Sequence, residues 1–376
     1  MKNNWPIKKL AEIGTIFNGN SINEDVKRKK YLNKNGGLSF IATKDIDQEL
    51  HSIDYDNGVR IPFGEKGFKV AHKGSVLICA EGGNAGKKMA QTTQDVYFGN
   101  KLFALETNNL ADPKFVFYWY LTPMFAESYK AKMRGLIGGV SMNNFKNLLI
   151  PLPPLSEQKR IVKLLDEIFK KTARAQENTK KNLQNSNGLF ESYLQKIFLS
   201  SGKGWTKKML GEVLKLEYGK PLPKSKRKAD GKYPVYGANG EKDRSDDFYC
   251  DKYSFIVGRK GSAGELNLTK KKFWPLDVTY FITFDNKKYD LKFLYNLFTI
   301  LNLPRLAKGI KPGINRNDVY SIEVDLPTLK EQVNIVRKID ALAVNTKILE
   351  DNYEQKLANL GEFKKSILKM AFINSL

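Results

Sequence analysis

Two long stretches of the chain alternate apolar and polar residues with the period of an α-helix. In the second stretch the apolar positions are mostly three, four or seven residues apart, which is the seam of a coiled coil; they are Ile335, Ile339, Leu342, Leu349, Tyr353, Leu357, Leu360, Ile367 and Met370. The first stretch starts with Ile161, Leu165 and Ile168, is poor in large residues through Thr172, Ala175 and Thr179, and recovers at Leu183, Leu189, Tyr193 and Ile197. A helix with such a weak middle is not stable alone in water, so we expect the two helices to pack together.

Both helices are preceded by the same short motif. Residues 151–165 read PLPPLSEQKRIVKLL, and residues 325–339, which lie 174 positions further on, read DLPTLKEQVNIVRKI. Proline keeps the residue before it extended, so the chain reaches each helix as a strand or coil. Ser156 is a suitable N-cap, and Glu157 and Glu331 place negative charge at the positive end of the helix. We therefore predict that the first helix begins at or just after Ser156.

The rest of the chain is duplicated as well. Residues 5–19 align with 205–219, residues 74–86 with 252–264, and residues 134–158 with 308–332. The first helix leads directly into the second globular segment, and the second helix starts where that segment ends, so helices that pack together must run antiparallel. This predicts an α+β protein with two globular domains, two long helices packed as an antiparallel coiled coil, and a pseudo-twofold internal repeat.

A formal net charge of +23 indicates a polyanionic partner, and nucleic acid is the obvious one. An AT-rich genome that favours lysine codons is the alternative source of this charge. Two cysteines argue against a disulfide framework, and two histidines are too few for an ordinary zinc site, so we expect no metal. The sequence contains no apolar run typical of a signal peptide or a membrane span, which predicts a cytoplasmic protein without membrane contact.

Glycine turns with basic or amide neighbours occur at the same place in each domain. Residues 82–88 (GGNAGKK) do not match a phosphate-binding loop, because Glu81 stands where the first glycine is required and Lys88 where Ser or Thr is required. Such a turn suits close approach to a nucleic-acid backbone or groove edge. A plain hairpin turn is the alternative, and we favour it for the glycines themselves. The predicted DNA contacts here are Asn84, Lys87, Lys88, Arg259, Lys260 and Ser262.

Two further groups extend the predicted DNA-binding surface. The segment 233–240 (YPVYGANG) places Tyr236 and Asn239 beside the basic run 224–228, and such mixtures of aromatic and basic residues recognise bases and backbone. A strand residue facing a core is an equally good interpretation of Tyr236. The glycine-rich domain ends add residues that contact phosphates or cap the last strand: Arg134, Asn143, Lys308, Lys311 and Arg316. The basic runs 27–30, 224–228 and 270–272 are each also explained as solvated loops.

We find no sequence pattern that supports catalysis. Methyltransferase motifs, glycine-rich cofactor loops, nucleophile elbows and the carboxylate clusters of nucleases are all missing from the sequence. The sequence therefore predicts a protein with no catalytic residues and no cofactor of its own.

These features resemble the DNA-specificity (S) subunit of type I restriction–modification systems. The resemblance rests on the run LPPLSEQKRIV at 152–162 and its copy at 326–336, on segments 233–240 and 258–264, and on the ending FKKSILKMAF at 363–372. It covers essentially the whole chain and implies target-recognition domains at 1–150 and 203–325, with helical spacers at 151–202 and 326–376. The second copy of the motif has Val333 and Asn334 in place of Lys159 and Arg160.

The resemblance also implies a function and a set of partners. Members of this family bind double-stranded DNA, two methyltransferase (M) subunits and, optionally, two restriction (R) subunits, and read a bipartite site with an unspecified gap. They carry no active site, because the M subunit supplies S-adenosylmethionine and flips the target adenine. Two alternatives stay open: a specificity subunit of a type II-like system, and a non-catalytic coiled-coil scaffold whose charge is incidental. Salt-sensitive binding to duplex DNA separates the scaffold from the other two.

Overall fold

The computed structural model describes residues 5–134, 138–199, 202, 204–269, 271–310 and 312–373, without the side chain of Asn187. The chain divides into two compact units. Unit 1 comprises Met1–Thr179 and Gln355–Leu376, and unit 2 comprises Lys180–Glu354. Each unit therefore contains one globular domain together with one end of each long helix.

The strands of unit 1 form a two-stranded pair and two larger sheets. They are β1 (Ile7–Lys9), β2 (Gly14–Asn18), β3 (Leu38–Ile41), β4 (Arg60–Ile61), β5 (Val70–Ala71), β6 (Val76–Cys79), β7 (Met89–Gln91), β8 (Val96–Phe98), β9 (Leu102–Thr107) and β10 (Leu149–Pro151). Strands β1 and β10 pair with each other. The antiparallel sheet has the order β2–β9–β6–β7, and the mixed sheet has the order β4–β3–β8–β5, with β3 and β8 parallel.

The helices of unit 1 are α1 (Glu24–Val26), which continues as a π-helical turn over Lys27–Tyr31, then α2 (Pro113–Tyr120), α3 (Pro123–Lys132), α4 (Met142–Lys146) and α5 (Leu155–Leu199). Helices α2, α3 and α4 and the start of α5 pack on one face of the antiparallel sheet. Asp112 and Thr122 cap α2 and α3, and a proline follows each cap at the first helical position. Phe115, Trp119 and Phe145 are fully buried in the core between these helices and the sheet.

Unit 2 has the same plan. Its strands are β11 (Thr206–Met209), β12 (Leu214–Tyr218), β13 (Tyr233–Gly237), β14 (Gly240–Ser245), β15 (Phe255–Gly258), β16 (Leu266–Leu268), β17 (Trp274–Pro275), β18 (Thr279–Phe284) and β19 (Glu323–Leu326). Its helices are α6 (Leu210–Val213), α7 (Leu291–Ile300), α8 (Arg316–Tyr320) and α9 (Leu329–Ile373). The sheets are β11–β19, β12–β18–β15–β16 and β14–β13–β17.

Strand order confirms the predicted internal repeat and the α+β fold class. The sheet β2–β9–β6–β7 corresponds to β12–β18–β15–β16, and the outer pair β1–β10 corresponds to β11–β19. In both mixed sheets a parallel pair lies at the same place, β3 with β8 and β13 with β17. Unit 1 has helix α3 where unit 2 has a 3-10 turn over Leu303–Leu306.

Each long helix spans 45 residues, and the start of the first one differs from the prediction. Helix α5 begins at Leu155, so Ser156 lies in its first turn and is not the N-cap. The carbonyl of Pro154 accepts from the backbone N–H groups of Glu157 and Gln158 at 2.9 and 3.1 Å. The helix therefore begins two residues earlier than it would with Ser156 as its N-cap.

The long helices run antiparallel in each unit, as predicted. In unit 1 the core includes Ile161 and Leu165 from the start of α5 and Phe372 from the end of α9. In unit 2 it includes Phe198 from the end of α5 and Ile339 from the start of α9. The ring of Phe372 packs on Phe115, with centroids 4.9 Å apart, and the ring of Phe198 packs on Phe293 at 5.1 Å.

The seam of each long helix follows a seven-residue spacing more strictly than the apolar stripe indicated. On α5 it holds Leu165, Thr172, Thr179, Ser186 and Tyr193, and on α9 it holds Ile339, Thr346, Tyr353, Leu360 and Ile367. The hydroxyls of Thr172, Thr179 and Ser186 are buried, and each donates to the carbonyl four residues earlier, at 2.8, 2.7 and 2.9 Å. Leu189 and Leu349, which the stripe placed in the seam, are exposed. Within the described residues no helix is both long and apolar enough to cross a membrane.

Candidate nucleic-acid interface

Two glycine-rich loops lie side by side in each unit. We call their described residues loop pair 1 (80–88 with 134 and 138–141) and loop pair 2 (259–265 with 308–310 and 312–315). In loop pair 1 the N–H of Gly82 donates to the carbonyl of Gly138 at 2.8 Å. In loop pair 2 the N–H of Gly261 donates to Pro312 at 3.1 Å, and the N–H of Ile314 donates to Arg259 at 3.0 Å. These backbone bonds bring together basic residues that are about 50 positions apart in the sequence.

Two glycines of these turns, Gly258 and Gly86, are required by the local geometry. A Cβ added to Gly258 would lie 1.9 Å from the carbonyl oxygen of Ser262, a distance that no side chain tolerates. Gly86 has a φ of +71°, and a Cβ there would lie 2.6 Å from the ring of Tyr129. This supports the interpretation of these glycines as requirements of the turn.

The two glycine loops differ in length by one residue. In unit 1 Ile78 pairs with Phe103, and in unit 2 Val257 pairs with Tyr280. Ile78 and Val257 are therefore equivalent positions. Counting on from them, Ala80 and Glu81 occupy the places of Arg259 and Lys260. Seven positions separate Cys79 from Gly86, but only six separate Gly258 from Gly264, although both glycine N–H groups bond back to the strand end. The gap-free alignment of 74–86 with 252–264 is therefore wrong by one residue along the strand.

The predicted contacts of loop pair 1 fall into two groups. Lys87 and Arg134 are exposed and line an open groove of about 820 Å³ together with Lys130 of α3. Asn84 is exposed at the tip of the same turn. Lys88 is half-buried, its Nζ donates to the carbonyl of Thr43 at 3.1 Å, and it lines a second groove that contains several carboxylates. Its charge is therefore less available to DNA.

Asn143 lies on α4 instead of in the loop. Its side chain is exposed, and its Oδ1 accepts from the Nδ2 of Asn147 at 3.4 Å. Ser141 caps this short helix, as Asn315 caps α8 in unit 2. The second loop of each pair therefore ends in a helix cap, a role that the sequence analysis did not expect for these segments.

Loop pair 2 concentrates positive charge around Tyr218, which the sequence analysis did not single out. The guanidinium carbons of Arg259 and Arg316 lie 5.3 and 5.1 Å from the centre of the Tyr218 ring. Lys260 is exposed and Ser262 is half-buried in the same turn. Lys308 is exposed, and its Nζ lies 3.1 Å from a carboxylate oxygen of Asp318. Lys311 lies outside the described residues.

Beneath this cluster Tyr280 forms the floor. Its ring lies 5.1 Å from that of Tyr218, and its hydroxyl donates to the carbonyl of Ile314 at 3.1 Å. Burial, followed by hydrogen bonding with Tyr218, raises the pKa of Tyr280 to about 12. The hydroxyl is therefore neutral at physiological pH, and it fixes strand β18 to the second loop of the pair.

The structure corrects the prediction for Tyr236 and retains Asn239 as a candidate. The Tyr236 side chain is 5% exposed, and its ring packs on Phe273 with centroids 5.8 Å apart. Its ring therefore belongs to the core and offers no surface to DNA, which was the alternative interpretation. Asn239 is exposed in the tight turn between β13 and β14.

Two of the basic runs are partly neutralised within the domain. In the run 224–228, Lys226 pairs with Asp247 at 2.9 Å and Lys228 with Asp246 at 2.6 Å. In the run 27–30, Lys27 lies 3.6 Å from Glu24. The described residues contain no group of three or more His, Cys, Asp or Glu side chains that could hold a metal ion.

Sequence comparison finds relatives that are specificity subunits of type I restriction enzymes. The chain is 26% identical over 200 residues to a putative type I restriction enzyme specificity subunit from Haemophilus influenzae, a match that covers 47% of this chain and 51% of the relative. It is 23% identical over 313 residues to the EcoKI specificity subunit of Escherichia coli, which covers 70% of this chain and 66% of the relative. The chain thus matches between about half and two thirds of the length of these relatives.

Solved structures share the fold at low sequence identity. One is a chain from work on complex assembly and conformational transition of the type I R-M system, with a TM-score of 0.77, 19% identity, and coverage of 99% of this chain and 98% of that one. Another is the HsdS subunit from Thermoanaerobacter tengcongensis, with a TM-score of 0.69, 20% identity, and coverage of 99% and 97%. Residues 2–185 and 202–359 match the family model of the type I restriction modification DNA specificity domain, and the chain belongs to this family.

Proposed function

We propose that this chain is the DNA-recognition subunit of a type I restriction–modification complex, in which each globular domain contacts one half of a bipartite duplex target. The observation that carries the proposal is the duplicated loop pair, which presents exposed cations from separate segments in both units, although at different positions within the loops. Basic side chains on tight backbone turns can reach both phosphates and the donor–acceptor pattern of the major groove. The family membership of the chain supports the same function.

The remaining roles follow from the same proposal. We assign target recognition to 1–150 and 203–325, and assign spacing and subunit docking to the helical segments 151–202 and 326–376. A duplicated surface suits two copies of one partner, so we propose that two methyltransferase subunits dock, with up to two restriction subunits in addition. S-adenosylmethionine and the methyl-transfer chemistry then belong to the methyltransferase subunit, and this chain contributes no catalytic group.

Methylation mapping tests this function directly. The chain is produced with its methyltransferase partner in a host that lacks other adenine methylation, and methylated adenines are located by modification-sensitive sequencing. We expect a single bipartite motif with a fixed gap, and no methylation when either protein is produced alone. Methylation by the partner alone at the same sites would show that the chain does not select the target. Methyl transfer by the purified chain without a partner would show that it has an active site of its own.

A further inference from the structure

Arg259 is held in a fixed orientation in loop pair 2. Its Nε and Nη2 donate to the backbone carbonyl of Asp277 at 3.1 and 2.8 Å, and its guanidinium lies over the ring of Tyr218. Within the described residues no carboxylate lies within ion-pair distance of this guanidinium, so its charge is not neutralised by the protein. Tyr218 is 45% exposed and Arg259 is half-buried, so the pair lies at the surface.

The hydrogen-bond inventory of Arg259 leaves one edge free. A guanidinium has five N–H groups in a planar fork, and the carbonyl of Asp277 uses two on the Nε side. The Nη1–Nη2 edge therefore keeps two parallel donors. This edge matches the O6 and N7 acceptors of guanine in the major groove, which is the commonest specific contact of arginine with DNA.

We propose that Arg259 reads a guanine in the half-site contacted by unit 2, and that Tyr218 is its positioning residue. This inference rests on the proposed DNA-recognition function. The carbonyl of Asp277 fixes the rotation of the guanidinium, and the Tyr218 ring supports its face by a cation–π contact. An arginine restrained in this way loses less conformational entropy on binding than a free side chain.

Arg316 lies over the same ring but is held differently. Its guanidinium carbon is 5.1 Å from the ring centre, and within the described part of the chain its guanidinium has no hydrogen-bond partner. Without a second contact its orientation is not fixed. We assign it to a phosphate, because backbone contacts require charge more than a defined orientation.

Unit 1 lacks the arrangement of an arginine supported by a tyrosine ring. Asn18 of unit 1 pairs with Phe103, and Tyr218 of unit 2 pairs with the equivalent residue, Tyr280. Asn18 therefore stands in the place of Tyr218. Ala80 stands in the place of Arg259, and the first residue of α4, Met142, stands in the place of Arg316. The guanine contact should therefore belong to only one half of the target.

The test maps methylation by the complex of the full chain and its methyltransferase partner with three variants. Arg259→Lys keeps the charge but not the two-donor fork, and Tyr218→Ala removes the support for Arg259. Tyr218→Phe keeps the ring and serves as the conservative control. We expect Arg259→Lys and Tyr218→Ala to relax the same single guanine, with roughly 5- to 150-fold lower discrimination against the other bases. Tyr218→Phe should keep the motif of the unaltered chain.

Other outcomes overturn the inference. If Arg259→Lys retains the complete motif and methylates all sites at the same rate, Arg259 contacts phosphate or nothing. If the relaxed position is not a guanine, or lies in the half-site contacted by unit 1, the assignment is wrong. Because Arg259→Lys preserves charge and approximate size, it tests the guanine contact even if Tyr218→Ala folds poorly. Failure of the proposed function would look different, since the unaltered complex would then give no chain-dependent bipartite motif.

Discussion

The side-chain Oε1 of Gln158 accepts a hydrogen bond from the backbone N–H of Asp112 at 2.8 Å. The Nε2 of the same glutamine donates to the carbonyls of Leu110 and Pro153 at 2.9 and 2.8 Å, and the side chain is fully buried. Asp112 in turn caps helix α2. The glutamine of the duplicated motif therefore connects the first turn of a long helix to the loop that starts α2.

Unit 2 repeats this arrangement. The Oε1 of Gln332 accepts from the N–H of Asp290 at 2.9 Å, and its Nε2 donates to Lys288 and Pro327 at 3.2 and 2.9 Å. Asp290 caps α7 as Asp112 caps α2. The same three bonds in both copies show that the motif glutamine has a structural role in joining each long helix to its domain.

We predict that Gln158→Ala destabilises unit 1 by about 2–4 kcal/mol. The substitution leaves two carbonyls and one N–H without their partner; the bond to Pro153 is buried and the other two are partly buried. A polar group left unpaired in the interior costs on the order of 1–3 kcal/mol. The urea midpoint of unfolding measures the effect. Ser156→Ala is the control, because Ser156 is exposed in the first helical turn and is not a cap. A large effect of Ser156→Ala with little effect of Gln158→Ala would reverse the roles assigned to these residues.

The sequence was sufficient to predict the long helices and the repeat because both depend on local spacing. A seven-residue period and a duplicated proline–glutamine motif extend over many positions, so single exceptions do not obscure them. The start of α5 was harder to predict, because Pro154 and Ser156 both suit the start of a helix and only the backbone hydrogen bonds decide between them. Leu189 and Leu349 were misplaced because a leucine is a stronger apolar signal than the threonines that the seam contains.

The candidate site was only partly predictable. Basic residues next to glycines indicated Arg259 and Arg316, but nothing local distinguished Tyr218, which acquires its role when β12 pairs with β18. Tyr236 lies on an aromatic-rich strand whose alternation does not reveal which face is buried. The extra residue in loop pair 1 was hidden because the glycines at the end of the turn align well without a gap. Each of these features depends on strand register, which is a property of the folded chain.

The salt dependence of DNA binding should distinguish the exposed lysine of loop pair 2 from the ion-paired lysines of the basic run 224–228. Lys260 is exposed in loop pair 2, whereas Lys228 holds Asp246 at 2.6 Å. We predict that Lys260→Ala lowers the magnitude of the slope of log K against log salt by about 0.9, the value for one lost phosphate contact. Lys228→Ala should change it little, because the Lys228 ammonium is paired with Asp246 and is not expected to contact a phosphate. Titrations of a duplex of unrelated sequence at several salt concentrations measure both. A larger change for Lys228→Ala would assign the contact to the run 224–228.

His51 should make the stability of unit 1 depend on pH. Burial, with a smaller effect from Lys364, lowers the pKa of His51 below its ordinary value of about 6.5. Its Nδ1 is buried without a hydrogen-bond partner, and its ring packs on Phe117 at 6.2 Å. The folded state therefore holds the neutral ring, while the unfolded state takes up a proton below about pH 6.5. The stability is present above that pH and is lost as the pH falls, by at most about 1.4 kcal/mol per pH unit.

The measurement for His51 is the urea midpoint between pH 7 and pH 5. We expect His51→Asn to flatten the decline, and asparagine suits the backbone because residue 51 has a φ of +52°. The other histidine in the sequence, His72, is exposed beside Asp95 at 3.2 Å, so His72→Asn is the matched control and should leave the decline in place. An unchanged decline in His51→Asn would mean that other groups cause it.

Each long helix is anchored at both ends, and this decides how the spacing of the half-sites can be altered. Helix α5 is held by Gln158 in unit 1 and by Phe198 in unit 2, and α9 is held by Gln332 in unit 2 and by Phe372 in unit 1. Lengthening α5 alone would pull one of these anchors out of its core. We therefore predict that the gap changes only when both helices are lengthened, at Thr179 and Tyr353.

The length of the insertion should matter through rotation as well as distance. Four helical residues add about 6 Å and about 40° beyond a full turn, whereas seven add about 10.5 Å and fall about 20° short of two turns. One base pair adds about 3.4 Å and, at about 10–10.5 base pairs per turn, roughly 35°. Four residues therefore match one to two base pairs both in length and in rotation. Seven residues match three base pairs in length but differ by roughly 120° in rotation.

We predict that four-residue insertions in both helices lengthen the gap by one or two base pairs and leave both half-site sequences unchanged. The small seam residues around Thr179 should tolerate the local change in supercoiling that such an insertion causes. Seven-residue insertions keep the seam but should abolish methylation, because the two domains no longer face their half-sites together. Methylation mapping of both variants measures the result. A full-activity seven-residue variant whose gap is unchanged would show that something other than the helices positions the domains, with the methyltransferase subunits as the first candidate.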